Sequence, residues 1–414
     1  MSISPFYDAL ETRQPEEREA ALLARLPEQI AHAQHNAPYF AQSLAHVDAS
    51  QITSRAALAQ LPVIRKYELL EKQHANKPFG GFNAIGFGSA MRRVFASPGP
   101  IYEPEGTSPN YWRMARALYA AGVRRGDLVH NSFSYHFTPA GSMMETAAHA
   151  LGCTVFPAGI GQTEQQVAAM LDLQPQAYVG TPSFLKILIE KAESMGVQLP
   201  SLTKALVSGE AFPPSLRDWL SERGVHGYQC YATADLGLIA YETSARQGLV
   251  LDEDMLVEIV RPGTGDPVPE GEVGEVVVTT FNRDYPLVRF GTGDLSAFLP
   301  GPCPTGRTNA RIKGWMGRAD QTAKVRGMFV HPSQVADIAK RFSEVQKARL
   351  VVSGSMAQDQ MCLMVECAQA PEGLQQALVD TVREVTKLRA DVQIVAPNSL
   401  PNDGKVIEDA RSYD

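Results

Sequence analysis

The sequence predicts an α/β protein: a large multi-sheet amino-terminal domain, with parallel-rich sheets and a β-rich subdomain, followed by a small α+β carboxy-terminal domain. Three observations carry that reading. Between 107 and 240, short apolar strand-like runs alternate with helix-like runs. From 249 to 300 the pattern turns to strands divided by Gly/Pro turns, such as P-G-T-G-D-P. Beyond 330, strand-like stretches at 348–353, 360–367 and 392–395 alternate with helical ones at 333–343 and 373–388. At 414 residues the chain is too long for one ordinary core, so two or three domains are expected.

In chain order, 15–34 reads as a helix. Pro15 and two acids stand in its first turn, and Leu22, Leu23, Leu26 and Ile30 share one side. A short helix is expected over 54–60 and another starts within L-P-V-I-R-K at 61–66; this region reads as packing, without chemistry. Residues 80–89 are a Gly-rich loop, and Val94-Phe95 are strand-like. The alternation then runs helix 110–121, strand 128–132, helix 140–151, strand 154–157, helix 163–171, strand 177–180, helix 182–195, strand 205–207 and helix 214–223. Such a rhythm builds a largely parallel sheet covered on both faces, with ligands at the carboxyl ends of its strands. The loops 132–138, 208–211 and 231–235 fall at those ends.

The composition is that of an ordinary soluble protein, with 44% hydrophobic and 20% charged residues. A net charge of −7 without a Lys/Arg run argues against nucleic-acid or anionic-membrane partners. No apolar run approaches the roughly 20 residues needed to span a bilayer, and the first residues carry no secretory pattern. Five scattered cysteines suit reduced thiols, so a cytoplasmic protein is expected. A homodimer is compatible with the sequence and not required by it.

The stretch from Val288 to Pro332 concentrates chemistry: V-R-F-G-T-G-D-L ends near Asp294, and Arg318, Asp320, Lys324 and Gly327 follow. A buried acid beside fixed Gly turns suits a hydroxyl-rich ligand, and Arg and Lys suit phosphate. This stretch resembles the ribose-binding and hinge motifs of the acyl-adenylate-forming enzymes, most closely those of the phenylacetate–CoA ligase family. The resemblance continues through 152–167, L-V-S-G-E-A-F at 206–212, Y-A-T-A-D-L-G at 231–237 and Gly404-Lys405, in one order from about Phe95 onward. Co-linearity of this extent is more specific than any one motif.

The resemblance implies a set of roles. Asp294 would accept both ribose hydroxyls, Gly209, Glu210 and Ala211 would form the adenine-contacting turn, and Tyr231 would also bind the nucleotide, with Arg318 near the phosphates. Thr233 would donate to the α-phosphate, and Asp235 would hold Mg²⁺. Tyr135, His136 and Phe137 would wall the acyl pocket, although a satisfied loop histidine is an equal reading of His136. Asp320 would be the hinge, dividing an AMP-binding and acyl-substrate domain (1–319) from a mobile lid (320–414). Lys405 would act in adenylation and Lys324 in thioester formation. Where the family has a Ser/Thr/Gly/Lys phosphate loop, this chain keeps Ser97 and Gly99. Pro98 and Pro100, however, remove N–H donors, and Glu103 stands where the Lys would be. Relatives carry a Cys/His zinc cluster, but only Cys303 of it is present here, with Thr305 and Asn309 nearby, so no structural zinc is expected.

The implied activity joins a small carboxylic acid, phenylacetate-like or another aryl acid, to coenzyme A at the expense of ATP. An acyl-AMP is the intermediate, and ATP, Mg²⁺ and CoA take part. Two alternatives stand beside it: a family relative that binds an acyl-adenylate, acyl-CoA or aryl acid without turnover, and an adenylating enzyme that loads a carrier protein.

Overall fold

The computed structural model describes residues 4–261, 265–319, 323–326, 328–330, 332–354, 359–401 and 406–411. The chain divides into two compact units, Met1–Met316 and Gly317–Asp414.

In the first unit the β–α alternation builds five parallel strands, in the order Thr154–Phe156, Leu128–Asn131, Ala177–Gly180, Lys204–Val207 and His226–Thr233. Ala177–Gly180 sits mid-sheet and is buried along its whole length, as a strand covered on both faces must be. The sheet continues antiparallel through Gly237–Glu242, Leu249–Leu251, Arg311–Ile312 and Phe298–Leu299, nine strands in all. The crossover helix Pro182–Ser194 starts on Thr181, whose hydroxyl accepts the Phe184 N–H, with Pro182 at the first helical position. Val129, Val179 and Leu206 of the sheet meet Ala147 and Met144 of the helix Ala140–Ala150 in one core.

The β-rich region expected over 249–300 is shared between two sheets. Leu249–Leu251 joins the nine-stranded sheet, whereas Met255–Val260, Gly274–Thr280 and Phe290–Ser296 form an antiparallel set. The two-residue strand Ile64–Arg65 adds to this set in parallel, opposite Phe290 and Gly291. Helix Pro15–Asn36 packs Leu22, Leu26 and Ile30 into the core beneath this sheet. Full burial of each such side chain contributes about 1.5–3 kcal/mol.

Two local expectations fail for tertiary reasons. The helix foreseen over 110–121 is confined to Ala115–Ala120. Arg113 adopts a left-handed backbone (φ 60°), and its guanidinium bonds Asp252 at 2.7 Å and the Leu236 carbonyl at 2.6 Å. Within the strand-rich 249–300, the run L-V-R-F at 287–290 reads as strand, but the strand begins only at Phe290, because Arg289 (φ 45°) turns inward onto the Glu258 carboxylate, 3.0 Å away.

The second unit has its own sheet, ordered Asp391–Val395, Gln360–Glu366, Lys347–Ser353, Ile407–Asp409; the central pair is antiparallel and both outer pairs are parallel. Helices Pro332–Lys340 and Leu374–Thr386 supply Val335, Ile338, Leu378 and Val382 to a core with Leu350 and Leu363. A hairpin pairs Ala323–Val325 with Met328–Val330. Asp320, the expected hinge, and Gly327 lie outside the described residues. No helix among the described residues is long and apolar enough to cross a membrane.

Candidate active site

The carboxyl ends of the parallel strands gather the motif loops, which is where ligands of such sheets collect. Ser208–Ala211 follows the strand Lys204–Val207, and Tyr231–Asp235 closes the strand His226–Thr233. Gly209 takes a left-handed backbone (φ 82°), which turns the chain at 208–211 without a side-chain clash. The Glu210 carboxylate is exposed and accepts a long bond from the Ser183 N–H, 3.4 Å. Ala211 is half-buried beside it.

Asp294 lies on the strand Phe290–Ser296, with one carboxylate oxygen facing each of two aromatic donors. The Tyr231 hydroxyl is 2.8 Å from Oδ2, and the Trp315 indole Nε1 donates to Oδ1 at 3.1 Å. The Tyr231 hydroxyl is also 3.1 Å from Thr292 Oγ1, which accepts the Asp294 N–H and donates to the Val276 carbonyl. The carboxylate is thus oriented from below by a tyrosine that itself belongs to the 231–235 motif. That brings two of the expected nucleotide-binding residues, 63 positions apart in sequence, into direct contact.

A second cluster lies at the far end of the same motif. Asp235 is buried, and its Oδ2 pairs with Lys66 Nζ at 2.5 Å. Its Oδ1 has no hydrogen-bond partner among the described residues. Glu103, fully buried on the strand Ile101–Gly106, accepts the Ser97 N–H at 3.2 Å and the Ser97 hydroxyl as well. Burial, and next the Asp235 carboxylate, push the Glu103 carboxyl up to about 8; the Lys66 ammonium and the Ser97 bonds oppose the rise only in part. Glu103 therefore carries a proton at neutral pH. It points into the protein and takes up the two donors of Ser97, while Gly99 lies in the exposed turn beyond.

Other expected residues are placed as follows. Thr233 Oγ1 accepts the Leu236 N–H at 3.1 Å, capping the turn that carries Asp235. Counted along Tyr-Gly-x-Thr-Glu, the pattern that the resembled family carries where this chain has Tyr231–Asp235, the hydroxyl falls on position 234, which is Ala here, so Thr233 stands one residue early. Tyr135 is half-buried; Asn131 Nδ2 donates to its hydroxyl at 2.8 Å, and burial with a bond to Glu145 holds the phenol well above its usual range. His136 and Phe137 do not join it in a wall. Ser134 folds the loop back through the His136 N–H, Phe137 takes a left-handed backbone (φ 62°) with its carbonyl on the Ala96 N–H, and its ring is 81% exposed. In the second unit, the Arg318 guanidinium and the Lys324 ammonium both lie over the Phe329 ring, at 5.8 and 5.9 Å. Lys405 lies outside the described residues. Cys303 Sγ meets the hydroxyls of Thr243 and Thr305, and Asn309 Nδ2 donates to the Leu251 carbonyl.

Three residues of this site escaped the sequence reading: Lys66, Trp315 and, in its true orientation, Glu103. Lys66 opens the helix Lys66–Ala75, where the helix dipole disfavours a cation. A lysine at the wrong end of a helix was the available signal. Glu103 and Glu105 share the parity of buried Ile101 on their strand, so alternation alone turned both carboxylates inward.

A sequence model of the AMP-binding enzymes matches residues 110–282. A phenylacetate–coenzyme A ligase of Thermus thermophilus is 32% identical over 88% of this chain and 84% of its own length. The chain belongs to the phenylacetate–coenzyme A ligase family. A second member of this family, from Escherichia coli (strain K12), is 29% identical over 96% of the chain and 95% of its own length. Among solved structures, a 2-hydroxyisobutyryl-CoA ligase in complex with 2-HIB-AMP and CoA aligns at a TM-score of 0.82 and 27% identity, covering 99% of this chain and 93% of its own. The fold is therefore that of the adenylate-forming enzymes. The amide bond synthetase McbA of Marinactinospora thermotolerans, at 18% identity and a TM-score of 0.53, shares the fold alone.

Proposed function

We propose that this member of the phenylacetate–coenzyme A ligase family joins a small carboxylic acid to coenzyme A through an acyl-adenylate made from ATP. The observation that carries the reading is the Asp294 carboxylate, oriented by Tyr231 and placed beside the strand ends where the motif loops gather. One carboxylate can accept both hydroxyls of a ribose. A free carboxylate is a poor acyl donor because its leaving group would be oxide. Attack on the α-phosphate of ATP forms a new O–P bond and expels pyrophosphate, after which the CoA thiol displaces AMP.

Two anions must meet in the first step, so the site needs positive charge. Lys66 brings an ammonium to the Asp235 end of the motif, where the 97–103 hairpin brings none. Arg318 would add a guanidinium on the phosphate side. Asp235 Oδ1, buried and without a partner among the described residues, is an acceptor that fits a divalent cation. Mg²⁺ held there would offset phosphate charge. The turn Gly209–Ala211, with Glu210, would meet adenine through its backbone, and Tyr135 would border the acyl group. The Thr233 hydroxyl, whose oxygen already accepts a backbone N–H, retains its proton for a phosphate oxygen. In this reading residues 320–414 act as a lid hinged at Asp320, bringing Lys405 for adenylation and Lys324 for thioester formation. Free CoA is preferred to a carrier protein because the relatives are CoA ligases. The cytoplasm supplies ATP and CoA and keeps the five free cysteines reduced. A homodimer, the other assembly considered, would show as a doubled mass in sedimentation.

The test is thioester formation from a panel of arylacetic, benzoic and branched hydroxy acids with ATP, Mg²⁺ and CoA, read alongside pyrophosphate release. An acid-dependent burst of pyrophosphate supports the reading. Absence of pyrophosphate with every acid, together with no AMP affinity at millimolar concentration, would sink it. One observation favours a second reading, a binder without turnover: Glu103 takes up both donors of Ser97, the residue left from the phosphate loop. Tight AMP binding without pyrophosphate release would decide for it.

A further inference from the structure

Asp294 is not an open acceptor. Trp315 Nε1 donates to its Oδ1 at 3.1 Å while Tyr231 engages Oδ2 at 2.8 Å. The two donors differ in kind. Tyr231 ends a central strand and is tied to Thr292, so it belongs to the floor of the site. Trp315 is 43% exposed and approaches from the solvent side. Its backbone is pinned along the strand it leans on: the Met316 N–H bonds the Leu295 carbonyl at 2.9 Å, Ser296 Oγ bonds the Gly314 carbonyl at 2.7 Å, and the Lys313 N–H bonds the Ala297 carbonyl. Moving the indole off the carboxylate needs rotation about its side-chain bonds and no shift of the main chain.

We infer that Trp315 is a specificity-determining residue whose indole N–H occupies the place of a ribose hydroxyl on Asp294 and is exchanged for it when the nucleotide binds. The inference rests on the ribose reading of Asp294. The exchange is one neutral donor for another on the same charged acceptor, so a ribonucleotide gains little net bonding at Oδ1. A nucleotide lacking ribose hydroxyls has nothing to exchange and leaves the indole bond to Oδ1 in place. The indole thereby lowers the affinity for ribonucleotides and narrows their margin over nucleotides without ribose hydroxyls.

The experiment is calorimetric titration of the full chain and its Trp315→Phe variant with AMP and with 2′,3′-dideoxy-AMP. Phenylalanine keeps the ring and removes the N–H. The expected result is that Trp315→Phe binds AMP about threefold to tenfold tighter, the range for losing a competing charge-assisted bond at a half-exposed position. Its affinity for dideoxy-AMP should change less. Trp315→Leu, with melting temperature measured in parallel, repeats the test should the phenylalanine ring stack in its own way. Unchanged or weaker AMP binding in both variants would overturn the inference, as would an equal gain for both ligands. Asp294→Asn separates the two levels. If it leaves AMP affinity intact, the ribose reading itself falls; if it weakens AMP while the Trp315 variants do not tighten it, only the exchange falls.

Discussion

Replacing Glu103 by glutamine tests the buried acid cluster through the pH dependence of stability. The carboxyl ionises near 4.5 when the chain is unfolded, and burial together with the Asp235 charge pushes it up to about 8 in the folded protein. Between those values the folded chain holds a proton that the unfolded chain has released. Raising the pH therefore favours unfolding, by about 1.4 kcal/mol per pH unit from this group. Over the whole interval of about 3.5 pH units the ceiling is roughly 4–5 kcal/mol, lost progressively and complete once the pH passes about 8. The amide of the Glu103→Gln variant cannot titrate, whereas groups that do not face Glu103 titrate alike in both proteins and cancel in the difference. Between pH 6.0 and 8.5 the variant should gain about 2–3 kcal/mol relative to the parent. Urea unfolding at four pH values in that range, with chelator present to exclude divalent ions, measures the gain directly. Parallel stability profiles, or a variant that falls behind as the pH rises, would refute the reasoning.

Lys66→Met strips the countercharge from Asp235; with the ammonium 19% exposed, a loss of about 2 kcal/mol in urea unfolding is expected, below the 3–5 of a fully buried pair, and the KM for ATP should rise. On the proposed ribose reading, Asp294→Ala removes two charge-assisted bonds and should weaken AMP binding at least about tenfold by calorimetry, with the melting temperature nearly held. Gly237→Ala combines a left-handed backbone (φ 71°) with a new carbon 2.6 Å from the Trp112 carbonyl oxygen, so thermal unfolding should show a loss of about 2–4 kcal/mol. Tyr135→Phe leaves an Asn131 donor unmatched and should cost about 1 kcal/mol, with any change in acid preference read from the thioester panel.

Much of the architecture is legible because it is local. The parallel strands show as short apolar runs between helices, and the family resemblance singles out Asp294, Tyr231 and the turn at Gly209 as candidates. What stayed hidden depends on contacts between distant segments. The strand Ile64–Arg65 is two residues long, too short for any periodicity, yet it delivers Lys66 to Asp235 across 169 positions. Arg113 breaks an expected helix through bonds to Asp252 and the Leu236 carbonyl, which no window of local sequence contains. Phe137 reads as a pocket wall from its aromatic character, but its left-handed backbone turns the ring outward. Glu103 differs from these, since the parity of its strand already carried the answer.

The parallel ladder of Ile64 with Phe290 and Arg65 with Gly291 is small enough to overlook. Beyond the same end of it come the lysine, one residue on along the first strand, and Asp294, three residues on along the second. The two backbone rungs thus act as a ruler for the span from the Asp294 carboxylate to the Lys66 ammonium. Shortening or slipping that ruler by a single rung would leave each half of the site intact and put them out of step with each other.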